Sequence, residues 1–257
     1  MGKKEKVFLF DLDDTLMWNE YTYSLAVMEF FELLMKVFKK RLPLVCGIGR
    51  RVEEITLEMI KKTNPKTDKL YGFSMSRWPD SFVMCYKELC EKGWGEYDPK
   101  VAEEVHKIGL KTFDENLYRQ TGLVPGAELV LDFLKAKGDI LILLTKGDGQ
   151  VQKRKIFALD LPSWFDSFVV VDHKSENLFG GFKRGFEDVG RTAIFSVGNS
   201  YSSDIEPALK AGIGAIFIPC FTWKAESTEK GRLTLQQQCR LYEIKEIRQI
   251  IDIYDKI

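Results

Sequence analysis

The sequence lacks an excess of charge of either sign. Lys plus Arg and Asp plus Glu both total 38 in 257 residues, so the formal net charge at neutral pH is zero. No basic run is present that could follow a phosphate backbone. Nucleic acids and anionic membrane surfaces attract proteins through positive charge, and we therefore expect neither as a partner.

Long hydrophobic runs are also missing. No segment approaches the roughly 20 apolar residues of a membrane-spanning helix, and the charged start, residues 1–6, leads into the first apolar run without a segment of signal-peptide type. The five cysteines are an odd number without metal-type spacing, which suits a reducing compartment. These absences predict a soluble cytoplasmic protein, and they leave its oligomeric state open.

Carboxylates follow the first apolar run directly. Residues 7–10 read Val-Phe-Leu-Phe, a pattern typical of a buried parallel strand, and Asp11 and Asp13 come next. Ligands of open α/β sheets bind beyond the carboxyl ends of the strands, where two such acids could share a cation or titrate at different pH. The alternative is a turn or a helix N-cap. An EF-hand loop is excluded because Leu16 stands where that loop needs Gly.

Two kinds of segment follow along the chain. Up to about residue 124 helical periodicity dominates and no strand is predicted, with helices expected at residues 25–39, 52–62, 81–91 and 101–117. After Pro125 a helix at 127–137 precedes apolar runs at 140–144, 168–171, 194–197 and 215–218, and a closing helix is expected at 233–257. The alternation predicts an α/β fold, a doubly wound parallel sheet formed by residues 1–16 and 119–257, with an inserted helical domain at 17–118.

Each later strand of the predicted sheet also ends in polar residues. Thr145 and Lys146 follow the second strand, Lys174 follows the third, and Asn199 follows the fourth with Asp204 shortly after it. Taken singly, each is more often a cap, a turn or a solvated side chain. Together they supply a nucleophile, a second acid, a hydroxyl, an ammonium and oxygen ligands for a metal, which phosphoryl transfer requires.

The ordered set resembles the four motifs of the haloacid dehalogenase (HAD) superfamily of phosphohydrolases. The run Asp11-Leu12-Asp13-Asp14-Thr15 matches the first motif, Thr145 the second, Lys174 the third, and Gly198 to Asp204 the fourth, with Asn199 where most members carry Asp. The insertion is similar to that family's type 1 helical cap. The Asn-bearing fourth motif and the stretch 219–226 with Trp223 look like one subgroup of these hydrolases.

The resemblance implies a role for each motif residue. Asp11 would be the nucleophile and Asp13 the general acid and base, while Thr145 and Lys174 would bind the transferring phosphoryl group. Mg²⁺ would be held by Asp11, the main-chain carbonyl of Asp13, and the fourth motif through Asn199 and Asp204. Thr15 and Lys146 are expected to contact substrate. Because Asn199 offers an amide in place of a carboxylate, we expect weaker metal binding or a larger share for Asp204.

The implied function is a Mg²⁺-dependent phosphatase that acts on a small phosphorylated metabolite through an aspartyl phosphate. One alternative is a phosphomutase acting on a sugar phosphate, which shares the core and returns the phosphoryl group to the sugar. Another is a non-catalytic module that binds a phosphoryl ligand or a partner, suggested by Asn199. A dehalogenase is disfavoured because its chemistry has no use for the acid at Asp13.

Overall fold

The computed structural model describes residues 6–39, 42–191, 193–220 and 233–257. Within them the regular elements are, in chain order, β1 (Val7–Phe10), α1 (Asn19–Phe38), α2 (Val45–Met59), β2 (Thr63–Asn64), β3 (Lys69–Leu70), α3 (Arg77–Glu91), α4 (Pro99–Lys111), α5 (Glu115–Thr121), α6 (Ala127–Ala136), β4 (Ile140–Lys146), α7 (Gly149–Ala158), β5 (Ser167–Val171), α8 (Glu176–Glu187), β6 (Ile194–Gly198), α9 (Glu206–Lys210), β7 (Gly214–Phe217), α10 (Leu235–Gln238), β8 (Leu241–Glu243) and α11 (Gln249–Ile253). A π-helical turn, Tyr201–Ile205, precedes α9, and 3₁₀ turns lie at Leu161–Ser163 and Tyr254–Lys256.

Six parallel strands form one sheet in the order β5-β4-β1-β6-β7-β8. Strand β1 lies in the interior, with Phe10 beside Leu143 of β4 on one side and Val197 of β6 on the other. The strands after β1 extend the sheet in both directions, so the predicted doubly wound α/β fold is confirmed. Parallel pairing also brings the carboxyl ends of β1, β4, β5 and β6 to the same edge, as the motif pattern requires.

The two faces of β1 are both buried, which explains its continuous apolar sequence. Val7 and Leu9 belong to a cluster with Ile142, Leu144, Phe179, Ile194, Ala208 and Ile213. On alternate positions, Phe8 stacks on Phe195 at 5.6 Å and Phe10 meets Phe165 edge-on at 5.9 Å. Burying each such side chain contributes about 1.5–3 kcal/mol, so the strand that carries Asp11 is among the most firmly fixed elements.

The chain divides into two compact units. The sheet unit consists of residues 1–19, 122–152 and 156–257, and the helical unit of residues 20–121 and 153–155. In the helical unit aromatic rings pack between α1 and α3: Phe30 lies 5.0 Å from Phe82, and Trp78 lies 4.9 Å from Phe82 and 4.7 Å from Tyr23. Arg51 of α2 holds Glu88 of α3 through two hydrogen bonds, of 2.8 and 2.7 Å.

The prediction that the insertion contains no strand is wrong. Strands β2 and β3 pair as a short antiparallel hairpin. The prediction of one helix at 101–117 is wrong as well, because two helices, α4 and α5, occupy this segment. The Asp114 side chain accepts a hydrogen bond from the Asn116 backbone at 2.8 Å, so it starts a new helix where a continuous one was expected.

The prediction of one closing helix at 233–257 is wrong as well. Helix α10 has only four residues and is followed by β8, which pairs with β7 at the edge of the sheet, and then by α11. An edge strand at this position satisfies backbone groups of β7 that a helix would leave unpaired. Trp223 lies outside the described residues. None of the helices described is long and apolar enough to cross a membrane.

Candidate active site

The first motif leaves β1 through a tight turn. The Asp11 amide continues the strand ladder by donating to the Val197 carbonyl at 2.9 Å, and the Leu16 amide then folds back onto the Leu12 carbonyl at 2.9 Å. Between them Asp14 adopts a left-handed conformation with φ 57°, which Asp tolerates better than most residues do. The turn therefore anchors Asp11 rigidly at the carboxyl end of the central strand.

Lys174 lies between two buried carboxylates. Its Nζ donates to Asp11 Oδ1 at 2.6 Å and to Asp204 Oδ1 at 2.5 Å. The lysine and Asp204 are almost fully buried, and Asp11 is 8% exposed. Breaking such a pair would leave an uncompensated charge in the interior, so the three side chains hold one another in place.

The fourth motif builds the second carboxylate into the site. Ser200 accepts a hydrogen bond from the Ser203 amide at the start of the π-helical turn, and its own amide donates to Asp204 Oδ2 at 3.0 Å. Gly198 leaves the space that this carboxylate occupies, because a Cβ at Gly198 would lie 2.3 Å from Asp204 Oδ2. Both oxygens of Asp204 thus have protein partners, Lys174 and the Ser200 amide.

Thr15 links the first motif to the fourth. Its hydroxyl lies 3.2 Å from Asn199 Oδ1 and 3.4 Å from Asp11 Oδ2. Asn199 is almost fully buried, and its Nδ2 atom has no hydrogen-bond partner within the described part of the chain. The amide therefore directs its oxygen, rather than its nitrogen, to the side where Asp11 and Thr15 lie.

Thr145 and Asp13 share a partner that the motif pattern did not indicate. Gln152 of α7 donates from Nε2 to Thr145 Oγ1 at 2.7 Å and to Asp13 Oδ2 at 3.2 Å. Lys146, next to Thr145, places its Nζ 3.4 Å from Ser203 Oγ.

Burial dominates the electrostatics of the first motif. Desolvation raises the pKa of Asp11 to about 8, against the attraction of Lys174, and the neighbouring charges of Asp204 and Asp13 add to the rise. Desolvation alone would lower the pKa of Lys174, but its two carboxylate partners outweigh it and raise that pKa above the ordinary value. The Lys174 ammonium therefore lies between two carboxylates, and a third, that of Asp13, adds to the negative potential at Asp11.

The donor set fits a hard divalent cation. Asp11 Oδ2 and Asn199 Oδ1 both lie within 3.4 Å of the Thr15 hydroxyl, and oxygen atoms are the ligands that Mg²⁺ prefers. A bound cation would also favour the ionised form of Asp11, whose pKa is raised by burial. No group of three or more His, Cys, Asp or Glu side chains with metal-holding geometry occurs among the described residues, so main-chain and amide oxygens would have to contribute.

All eight residues predicted from the motifs lie at this edge of the sheet. Contacts join them into two groups. The first consists of Asp11, Thr15, Lys174, Asn199 and Asp204. The second consists of Asp13, Thr145 and Lys146, which all contact Gln152. Their individual roles stay predictions. Gln152 was missed, although a polar side chain on the same helical stripe as the buried Ile156 and Leu159 is a signal that could have revealed it.

A curated protein named as a phosphatase resembles this chain in sequence. No family model matches the chain. A curated relative, human N-acylneuraminate-9-phosphatase, is 25% identical over 225 residues, which cover 82% of this chain and 80% of the relative.

Solved structures share the fold. A haloacid dehalogenase-like hydrolase from Xanthomonas campestris superposes with a TM-score of 0.69 at 21% identity, covering 99% of this chain and 92% of that one. A HAD hydrolase from Bacillus subtilis, solved with bound magnesium, gives a TM-score of 0.59 at 18% identity, covering 98% of this chain and 100% of the other. In its fold the chain is similar to these hydrolases, and the order of its motifs resembles that of the haloacid dehalogenase superfamily.

Proposed function

We propose that this chain is a phosphatase that hydrolyses small phosphate monoesters through a phosphorylated Asp11. The observation that carries the proposal is the Lys174 ammonium, which lies 2.6 Å from the Asp11 carboxylate in a buried site at the carboxyl end of the central strand. Burial disfavours the ionised form of this carboxylate, while the fixed ammonium of Lys174 favours it, and a bound cation would favour it further. This is an environment suited to a carboxylate nucleophile.

In the first step an Asp11 oxygen forms a bond to phosphorus as the ester P–O bond breaks. The leaving oxygen takes a proton from Asp13, so an alcohol departs rather than an alkoxide. In the second step Asp13 accepts a proton from a water molecule that attacks the phosphorus. Inorganic phosphate leaves, and the Asp11 carboxylate is restored. Throughout, Lys174 and the Thr145 hydroxyl would stabilise the charge on the phosphoryl oxygens.

Mg²⁺ is the cation that we propose for this site. Asp11, the Asp13 main-chain carbonyl and Asn199 would hold it, and when bound it supplies positive charge that offsets repulsion between the phosphoryl group and Asp11. Asp204 is proposed to act differently: its oxygens accept hydrogen bonds from Lys174 and the Ser200 amide, which suits an anchor for the lysine.

The proposed substrate class is a small phosphorylated metabolite. The name of the curated relative indicates a phosphatase of a phosphorylated sugar acid, and phosphorylated sugars and sugar acids are therefore the first compounds to test. Residues 17–118 are proposed to be the cap domain that selects among such substrates.

The test is a panel of phosphorylated metabolites, assayed for phosphate release with Mg²⁺ and with a chelator. Wild type should release phosphate from at least one compound only when Mg²⁺ is present. The Asp11→Asn variant keeps the shape of the side chain and removes the nucleophile, so we expect a loss of about 10³-fold or more. The exposed Asp172→Asn is the matched control and should retain full activity.

Residual Asp11→Asn activity within about tenfold of wild type would remove Asp11 from the proposed role. Recovery of a sugar phosphate isomer instead of free phosphate would identify the phosphomutase alternative. Ligand binding without turnover would identify the binding module.

A further inference from the structure

Gln152 makes a set of contacts that none of the four motifs indicated. It is almost fully buried, and its side-chain nitrogen, Nε2, approaches three acceptors: Thr145 Oγ1 at 2.7 Å, Asp13 Oδ2 at 3.2 Å and the Lys146 carbonyl at 3.2 Å. Two of these acceptors belong to residues to which the proposed function gives chemical roles. The helix that carries Gln152 is thereby tied to both.

The orientation of the Gln152 amide follows from the chemistry of its neighbours. A carboxylate and a main-chain carbonyl can only accept hydrogen bonds, so the NH₂ end must face Asp13 and Lys146. Exchanging the two ends of the amide would place an oxygen against two other oxygens. The nitrogen is therefore fixed as the donor to Thr145 as well.

The same orientation leaves Gln152 Oε1 buried without a hydrogen-bond partner among the described residues. An unsatisfied buried oxygen is destabilising, and an apolar side chain of similar size would avoid it. Packing and stability alone would thus favour Met or Leu at this position. The contacts of Nε2 are the feature that an apolar residue could not supply.

The contacts have consequences for both partners. Since Thr145 Oγ1 accepts from Gln152, its hydroxyl proton is left to donate to another group, as a phosphoryl-binding hydroxyl must. Since Asp13 Oδ2 accepts from Gln152, the carboxyl group is held in one orientation relative to Thr145.

We propose that Gln152 is a positioning residue that orients Asp13 for proton transfer to the leaving group and directs the Thr145 hydroxyl proton to the phosphoryl group. The inference rests on the proposed function, because it assigns Gln152 to the same site. It predicts that removing the amide will slow phosphoenzyme formation most for substrates that need a proton at the leaving oxygen.

The experiment compares two aryl phosphates by kcat/KM, which reports the steps up to phosphoenzyme formation. Phenyl phosphate has a basic leaving group that benefits from protonation, whereas 2,4-dinitrophenyl phosphate has a leaving group that departs as an anion. Gln152→Met should lower kcat/KM for phenyl phosphate at least about tenfold more than for the dinitrophenyl ester. Gln150→Met, at an exposed position of the same helix, should change neither.

A purely structural role gives a different result. If Gln152→Met lowers both values equally, or lowers neither, the proposal is overturned. Gln152→Glu keeps the shape of the side chain while it replaces the donor with an acceptor, and it should show the same selective loss if Gln152→Met fails to fold.

A measurement without turnover separates failure of this inference from failure of the proposed function. The side-chain amide signal of Gln152 in a ¹⁵N spectrum, assigned by its absence in Gln152→Met, should shift in Asp13→Asn and stay unchanged in Asp172→Asn. If wild type hydrolyses neither ester, the proposed function fails, and this spectrum still decides whether Gln152 holds Asp13. An unshifted signal in Asp13→Asn would overturn the inference.

Discussion

Adding one methyl group at Gly198 should displace Asp204 and weaken the whole buried charge cluster. In Gly198→Ala the new Cβ would lie 2.3 Å from both the Cγ and Oδ2 atoms of Asp204, whereas ordinary contact begins near 3.4 Å. The carboxylate must therefore move by about 1 Å, since the interior is close-packed and Gly198 lies within β6. A movement of that size breaks hydrogen bonds of 2.5 Å to Lys174 and 3.0 Å to the Ser200 amide.

The loss of folding free energy in Gly198→Ala can be estimated from these two contacts. Hydrogen bonds to charged groups contribute about 1.5–3 kcal/mol each, and partial relaxation recovers some of that, so we expect a destabilisation of about 3 kcal/mol. For a chain of this size, this corresponds to a melting temperature lower by about 6–12 °C. Because Asp204 no longer anchors Lys174, turnover should also fall, by about 10²-fold for a displacement of this size.

Thermal unfolding followed by circular dichroism, together with phosphate release, measures both effects. Gly185→Ala is the matched control: a Cβ at Gly185, within α8, meets no atom within 4 Å, and alanine in a helix interior should stabilise by up to about 1 kcal/mol. If Gly198→Ala melts within about 2 °C of wild type and retains full activity, Asp204 is not held as described.

Two further predictions concern the cation and the helical unit. Asn199→Asp adds a charged hard ligand and should tighten Mg²⁺ binding in a calorimetric titration, while unchanged affinity would exclude Asn199 as a ligand. Glu88→Gln should lower stability by about 0.5–1 kcal/mol at pH 7, because the Arg51 hydrogen bonds lower the pKa of Glu88 in the folded state. That contribution is present above the unfolded-state pKa of Glu88 and is lost on acidification. In urea unfolding, the difference in free energy of unfolding between wild type and Glu88→Gln should therefore shrink below about pH 4. A difference that stays constant with pH would contradict this prediction.

The parts of the fold that the sequence predicted are those with strong local patterns. The apolar runs of β1, β4, β6 and β7 are continuous because both faces of the sheet are covered, and each is located within a few residues. Strand β8 was missed because only three residues pair, at the edge of the sheet, where the environment and not the local pattern decides. The short helices of the tail leave too little periodicity to separate them from one longer helix.

Some residues of the candidate site could likewise be predicted from the sequence, and others could not. Carboxylates and a lysine at strand ends can be recognised in the sequence, because burying an unpaired charge there costs free energy and therefore indicates a function. Gln152 carries no charge and belongs to no short motif, and its link to Asp13 joins residues far apart in the chain. The need for glycine at position 198 likewise arises from a side chain that only the folded π-helical turn brings back against the strand.

The stereochemical course at phosphorus tests the central claim most directly. When the phosphoryl group of an aryl phosphate is made chiral with oxygen isotopes, the enzyme should transfer it to an acceptor alcohol with retention of configuration. Attack by Asp11 and then by a second nucleophile inverts the centre twice. Unlike trapping of the aspartyl phosphate, this result does not require the intermediate to accumulate. Inversion would show a single displacement and would contradict a covalent role for Asp11.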